Sequence, residues 1–381
     1  MASSGRMYLR RGLSFLGALR RPFPGESFGR PESAGWGQRA VRWGQGQGGR
    51  GSESPKMVIR TPWEDARGWA WSRSAIGGCL AAFSLFSKPV EEEKGESSEA
   101  EDQIIFLLKK AKLSIMKGEL EGAEQILHQS LLLAQQSDNK KAITYTYDLM
   151  ANLAFVRGEL INAEKLYKAV MSNLLASGTP QDDDGIIEMS LKLAMIYAAQ
   201  NQHQLALAGY QFCILTLEEK MEKQKDLPEN ILTAAEKSNT RLLLGMSLDS
   251  YGRYLLANKQ LSRAQSMYEK ALKICREEQG ETHPQTLILM NDLAMVMDAQ
   301  GAHDNAYIHA KRALELARQT EHPEQHIMLG NLAGILMHKE SFAEAQRIYE
   351  EALKQAEQKG DIISVKQIQE GLAELARRRG S

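Results

Sequence analysis

HPQTLILMNDLAMVMDAQGAHDNAYIHAKRALELARQTEHPEQHIMLGNLAGILMHKESFAEAQRIYEEALKQAE, residues His283–Glu357, contains one unit twice. The first copy carries Leu293-Ala294, Gly301, Ala306, Ala310 and Ala313. The second carries Leu332-Ala333, Glu340, Ala345, Tyr349 and Ala352. Ala306 and Ala345 are equivalent, which sets a period of 39. A fixed period of this size marks stacked supersecondary units. Two antiparallel helices joined by a tight turn approach closely only where facing side chains are small. Ala294 against Ala306, and Ala333 against Ala345, suit such crossings, and Leu293, Leu332, Tyr349 and Leu353 fill the seams around them. Gly301 suits a helix end that needs positive φ. One hairpin cannot bury its own apolar faces, whereas stacked copies can, and the result is a solenoid.

Earlier copies align to this pair. Ala111, Gly118, Leu120, Ala123 and Leu127 form the first, and Ala151, Gly158, Leu160, Ala163 and Tyr167 the second. Ala194, Tyr197, Ala206 and Tyr210 form the third, with Asn201 at the turn. Gly252, Leu255, Leu261, Ala264, Tyr268 and Ala271 form the fourth. The key alanines 123, 163, 206, 264, 306 and 345 are spaced 40, 43, 58, 42 and 39 apart. The reading is therefore all-α: about six helical hairpins over residues 102–358 and a capping helix in 359–381, with Ile363, Val365, Ile368, Leu372 and Leu375 on one side. The interval of 58 falls on Leu217–Thr240, a charged helix around Lys220–Lys225 with a break at Pro228, read as a solvated charged extension. GTPQDDDG, Gly178–Gly185, reads as a plain loop.

The set of small, turn and aromatic positions resembles the tetratricopeptide repeat family. The His-Pro pairs between units (His283-Pro284, His322-Pro323) and the long period are similar to the repeats of kinesin light chains.

The 381 residues carry a net charge of −1, which advertises neither nucleic acid nor an acidic substrate. The average hides a split, because residues 1–73 hold thirteen Arg/Lys against five Asp/Glu, leaving −9 for the remainder. Residues 1–67 have the Arg- and Ser-rich composition of a mitochondrial transit peptide, with Leu9, Leu13, Phe15, Leu16 and Leu19 near one side of a short helix. Residues 68–87, GWAWSRSAIGGCLAAFSLFS, form an apolar segment. Its uncharged part is 14 residues, short against the roughly 20 a span needs. Counted from Gly68 with Arg73 snorkelling, it reads as a membrane anchor. Residues 88–101 form an acidic linker, and the order of charges points the N-terminus to the matrix and the body to the intermembrane space.

Motifs for catalysis are missing from the string. None of the eight histidines (His128, His203, His283, His303, His309, His322, His326 and His338) sits in a His-Glu-x-x-His arrangement or pairs with cysteine at metal spacing. His283 and His322 precede proline at turns, where capping is the expected role. Cys213 and Cys275 fall on apolar helix faces and read as buried thiols, and Cys79 lies far from both. No nucleophile elbow, kinase signature or phosphate loop appears. The chain reads as non-enzymatic, with no catalytic residue, metal or cofactor.

A surface remains. Stacked hairpins expose their first helices along a groove that accepts an extended or helical peptide. Projecting the repeat onto that groove selects Lys109, Lys112, Asp148, Asn152, Lys192, Asp249, Arg253, Asn291 and Asn331. The Lys/Asn/Arg clamp that the family uses for acidic chaperone tails cannot be assembled from them. The runs NKKAITYTYDLMANLAF (Asn139–Phe155) and KAKLSIMK (Lys110–Lys117), with the basic presequence, short apolar segment and acidic linker, resemble a mitochondrial branch of the family. That resemblance implies an inner-membrane adaptor supporting assembly or upkeep of respiratory complex III, the ubiquinol–cytochrome c reductase, by binding its subunits or their fragments. A receptor or co-chaperone for imported precursors is the alternative.

Overall fold

The computed structural model describes residues 99–379. These fold into thirteen helices, and among the described residues there is no strand. They pair as α1 (Glu99–Lys117) with α2 (Leu120–Gln136), α3 (Lys140–Val156) with α4 (Leu160–Ala176), and α5 (Asp184–Ala199) with α6 (His203–Gln224). Then come α7 (Ala234–Ala257) with α8 (Leu261–Gln279), α9 (Pro284–Ala299) with α10 (His303–Gln319), and α11 (Gln325–His338) with α12 (Phe342–Lys359). A single helix, α13 (Ile362–Arg379), closes the stack. Six hairpins and a cap match the organisation read from the alanine period. The transit peptide, the apolar segment and all of the acidic linker before Glu99 lie outside the described residues. Among the described residues, no helix is long and apolar enough to cross a membrane.

The turn inside each hairpin is built the same way six times. One residue takes a left-handed conformation: Gly118, Gly158, Asn201, Lys259, Gly301 and Glu340. The next N–H reaches back five residues to a carbonyl, as in Glu119 to Ser114, Ala302 to Met297 and Ser341 to Leu336, each at 2.9 Å. This closes the orphaned end of the first helix. Gly301 takes its φ of +83° freely, whereas Glu340 takes a φ of +58° against a Cβ clash. Glu340 is exposed, so its side chain has little to lose. Glu340→Gly is expected to raise stability by about 0.5 kcal/mol, the relief of strain outweighing the added freedom of the unfolded chain. A shift of the urea midpoint upward checks it, and a downward shift would mean that the side chain has a role here.

Small residues sit at every crossing. Ala111, Ala123, Ala151, Ala163, Ala194, Ala206, Ala264, Ala294, Ala306, Ala333 and Ala345 are all fully buried. In the fourth hairpin Gly252 takes the place of alanine, and a Cβ there would stand 3.3 Å from the Tyr268 ring. Ala306→Leu is expected to overpack the fifth crossing and cost about 1–3 kcal/mol. An unchanged urea midpoint would mean that the crossing lies elsewhere.

First helices of neighbouring hairpins touch: α1 meets α3, α5 meets α7, α9 meets α11, and α11 meets α13. Second helices of successive hairpins make no comparable contact, so the first helices line the inside of the stack. The interval of 58 is absorbed by lengthening α6 to 22 residues and α7 to 24, with residues 225–233 as an exposed loop between them. Thr233 and Glu236 cap the start of α7 reciprocally, through bonds of 3.1 and 3.2 Å. Lys220 is not simply solvated, because its ammonium reaches Asp184 at 2.8 Å and the Asp182 carbonyl at 2.7 Å. On α13, Ile368 and Leu375 are buried against the stack, with Val365 and Leu372 partly so. Ile363 is 55 % exposed and does not share that side. Ser364, bonded to Asp361, takes the buried place at the start of the helix instead.

Candidate functional site

The nine residues projected onto the inner face do not behave as nine solvated positions. Asp148, Asn152, Lys192 and Asn291 are buried. Lys112, Asp249, Arg253 and Asn331 are half-buried, and only Lys109 is exposed. The reason lies in the stacking. Counted from the small residue of each first helix, the residue two places before it meets, in the preceding repeat, the residue three places before or one place after. Lys192 thus meets Asn152, Asp292 meets Arg253, and Asn331 meets Asn291. Neighbouring repeats are pinned by polar contacts about one period apart.

Two clusters result. In the first, Lys192 Nζ on α5 donates to Asn152 Oδ1 on α3 at 2.7 Å and pairs with Glu188 Oε1 at 2.6 Å. The Tyr167 hydroxyl on α4 donates to the same Asn152 oxygen at 2.6 Å. The Asn152 amide donates in turn to Asp148 Oδ2 at 3.1 Å. The Lys192 and Glu188 side chains are only 4 % and 1 % exposed. Burial drives the Glu188 carboxyl up to about 7, with Lys192 pulling it back down. Burial raises Asp148 likewise, again opposed by Lys192. Lys112 on α1 lies near enough to feel both carboxylates, and burial lowers its ammonium. Two cations and two carboxylates share this region.

In the second cluster, Arg253 on α7 forks onto Asp249, with Nε at 3.0 Å from Oδ1 and Nη2 at 3.3 Å from Oδ2. The same Nη2 reaches Asp292 on α9 at 2.8 Å. Burial pushes Asp292 up to about 6, with Arg253 drawing it back. The Asn331 amide on α11 donates to Asn291 Oδ1 at 3.2 Å. One guanidinium thus serves two carboxylates, and the cluster carries net negative charge at neutral pH. Lys109 joins neither cluster.

Glu188, Tyr167 and Asp292 were not among the projected residues. For Glu188 a signal was present, because it stands four residues before Lys192 on one helix face. For Asp292 the partner is in another hairpin, and for Tyr167 it is on the other helix of its own hairpin.

The remaining polar groups sort into structural roles. His283 Nδ1 accepts from the Gln285 N–H at 3.2 Å, and His322 Nδ1 accepts from the Glu324 N–H at 3.1 Å. His283 caps the start of α9 and His322 ties the turn that leads into α11, and burial lowers both imidazoles. Cys213 and Cys275 are buried, and burial, helped by Asp249, pushes the Cys275 thiol up to about 12. Neither is poised as a nucleophile. Three residues unrelated in sequence spacing, Asp298, His303 and His338, also lie together, although no metal ligand was expected from the sequence.

Residues 242–319 match the family model described as Tetratricopeptide repeat. The chain is 58 % identical to "Tetratricopeptide repeat protein 19, mitochondrial" of Rattus norvegicus over 337 residues, covering 87 % of this chain and 90 % of the relative. It is 60 % identical to the Homo sapiens protein of the same name over 311 residues, covering 78 % and 82 %. Among solved structures, the apo form of RapI is similar in fold, with a TM-score of 0.50 at 15 % identity, covering 80 % of this chain and 82 % of that one.

Proposed function

This chain belongs to the family of the mitochondrial tetratricopeptide repeat protein 19, and from that premise we propose that it is a non-enzymatic adaptor of the mitochondrial inner membrane serving respiratory complex III. Family and fold make it a protein-interaction repeat protein of mitochondria. The finer reading is that its inner face holds a complex III subunit or a subunit fragment, in support of assembly or maintenance. Residues 1–67 serve as the transit peptide, 68–87 anchor the chain in the membrane, and the repeat body faces the intermembrane space.

The observation that carries this reading is the fixed polar lining. Asp249 and Arg253 stay partly accessible while their charged ends hold each other, with Arg253 also paired to the half-buried Asp292, and Lys112 stays partly accessible beside the buried Glu188 and Asp148. A lining held in place beforehand loses less freedom on binding a peptide than one of loose surface chains. The buried members, Asp148, Asn152, Lys192 and Asn291, set the geometry and do not meet the ligand. Contact falls instead to Lys109, Lys112, Asp249, Arg253 and Asn331.

Protease protection in intact mitochondria and in mitoplasts, followed by native purification from the same membranes, tests the reading. The repeat body is expected to be degraded only after rupture of the outer membrane, and complex III subunits are expected to co-purify. Degradation in intact organelles, or purification free of complex III subunits, would overturn it.

A further inference from the structure

Asp298 stands at the C-terminal end of α9, His303 at the start of α10 and His338 at the end of α11. Each imidazole takes one oxygen of the same carboxylate. His303 Nδ1 lies 2.7 Å from Asp298 Oδ1, and His338 Nδ1 lies 2.7 Å from Oδ2. The two rings are 5.1 Å apart at their centres and tilted by 40°, so both Nδ1 atoms converge on the carboxylate. The candidate ligand atoms of all three residues lie within 4.8 Å of one another.

The charge balance of this cluster is unusual for so deep a place. The Asp298 side chain is 2 % exposed, and among the described residues its ion-pair partners are these two imidazoles alone. Lys339, next to His338, is turned to Asp304 and lies over the Tyr307 ring. Two neutral imidazoles satisfy the hydrogen-bonding capacity of a carboxylate but leave its charge uncompensated, and a buried charge without a counter-charge is costly. A divalent cation supplies that charge.

We propose that Asp298, His303 and His338 bind a divalent metal ion of the zinc class. Two imidazoles and one carboxylate are a donor set that suits zinc. Metal–nitrogen bonds of about 2.0–2.1 Å require ligand atoms roughly 3.3 Å apart in a tetrahedron, so the nitrogen–oxygen pairs would open by about half an ångström. His303 is 35 % exposed in its side chain, which leaves room for that movement and for a water molecule in the fourth position. Ligation through Nδ1 needs each imidazole neutral with its proton on Nε2. The ion would bridge the fifth hairpin to the sixth, since two ligands come from α9 and α10 and the third from α11. The binding site stands independently of the complex III reading.

The test uses the full chain freed of metal by a chelator. Cobalt(II), the spectroscopic substitute for zinc, is titrated in while visible ligand-field absorption is followed, and Zn²⁺ then displaces it. One equivalent is expected to bind, with bands typical of a tetrahedral site. His303→Ala, His338→Ala and Asp298→Asn are each expected to weaken binding more than about tenfold. His128→Ala, at an exposed position on α2, is expected to leave it unchanged. The asparagine variant retains a hydrogen-bond acceptor of the same shape, so its loss of binding would not merely report unfolding. On the unsubstituted protein, zinc is expected to move the imidazole nitrogen resonances of His303 and His338 first. No stoichiometric binding, binding equally tight in all variants, or movement confined to other histidines would overturn the proposal.

Discussion

Lys192→Met is expected to cost the fold about 3–5 kcal/mol, because it strips the counter-charge from two buried carboxylates while filling the same space. The methionine keeps most of the apolar stem, so the loss reports the ammonium and not a cavity. Glu188 would lose its ion-pair partner, and Asn152 Oδ1 would lose one of its two donors, keeping only the Tyr167 hydroxyl. Asp148 would remain buried with Oδ1 making no hydrogen bond and with the cation that most offsets its burial removed. The penalty is expected to depend on pH in a stated direction. Burial already raises Glu188 to about 7, above the 4.5 of a free glutamate. A carboxyl raised on folding contributes stability that is fully present below the unfolded value and is lost as pH rises through the folded one. Without Lys192 the folded value climbs further, so the variant should lie nearer wild type at pH 5 than at pH 8. Urea denaturation across that range measures it. A penalty that is constant with pH, or below about 1 kcal/mol, would mean that the pair is solvated and that the cluster does not fix the joint between the second and third hairpins.

How this cluster escaped a reading of the string shows where such a reading stops. The alanine and turn positions were legible because close helix crossings restrict size at each period, and no partner needs to be known. The first-helix polar residues were legible as positions for the same reason. Their burial was not, because Lys192 meets Asn152 only once the offset between stacked repeats is fixed, and the string does not state that offset. Glu340 and Lys259 take the left-handed turn position with no sign in their chemistry, and only alignment to Gly301 marks them. Asp298, His303 and His338 come from three different helices and share no spacing in the string. Their meeting depends on helix lengths and on the turn between α10 and α11.

Tyr268→Ala is expected to destabilise the chain by about 3–5 kcal/mol, as truncation of a large buried aromatic does. The ring is fully buried and is fitted against Gly252, the one crossing where glycine replaces alanine. Removing it leaves a void that the facing helix cannot refill, because Gly252 has no side chain to move into it. In a stack where each hairpin touches only its neighbours, such a void weakens one link and not the whole evenly. Two unfolding transitions are therefore expected where the unsubstituted chain is expected to give one, with hairpins on either side of the fourth melting separately. The control is Tyr268→Phe. The Tyr268 hydroxyl is buried without a hydrogen bond, so losing it should cost nothing and can stabilise by about 1 kcal/mol. A single transition in the alanine variant with a small loss would mean that the helices close over the gap. A large loss in the phenylalanine variant would mean that the hydroxyl is hydrogen-bonded in solution.

The loop of residues 225–233 divides the stack into two near-equal portions, with three hairpins before it and three hairpins and the cap after it. It is exposed, and long helices flank it and pack against each other. A cut there removes a tether but no buried contact, so the portions would remain a folded heterodimer held by the α6–α7 interface. What changes is dilution. The intact chain keeps its portions at an effective local concentration set by nine residues, whereas the severed chain associates according to how much of it is present. Expressed as two separate polypeptides meeting at this seam, the protein becomes a split reporter whose reconstitution follows the integrity of its own middle joint.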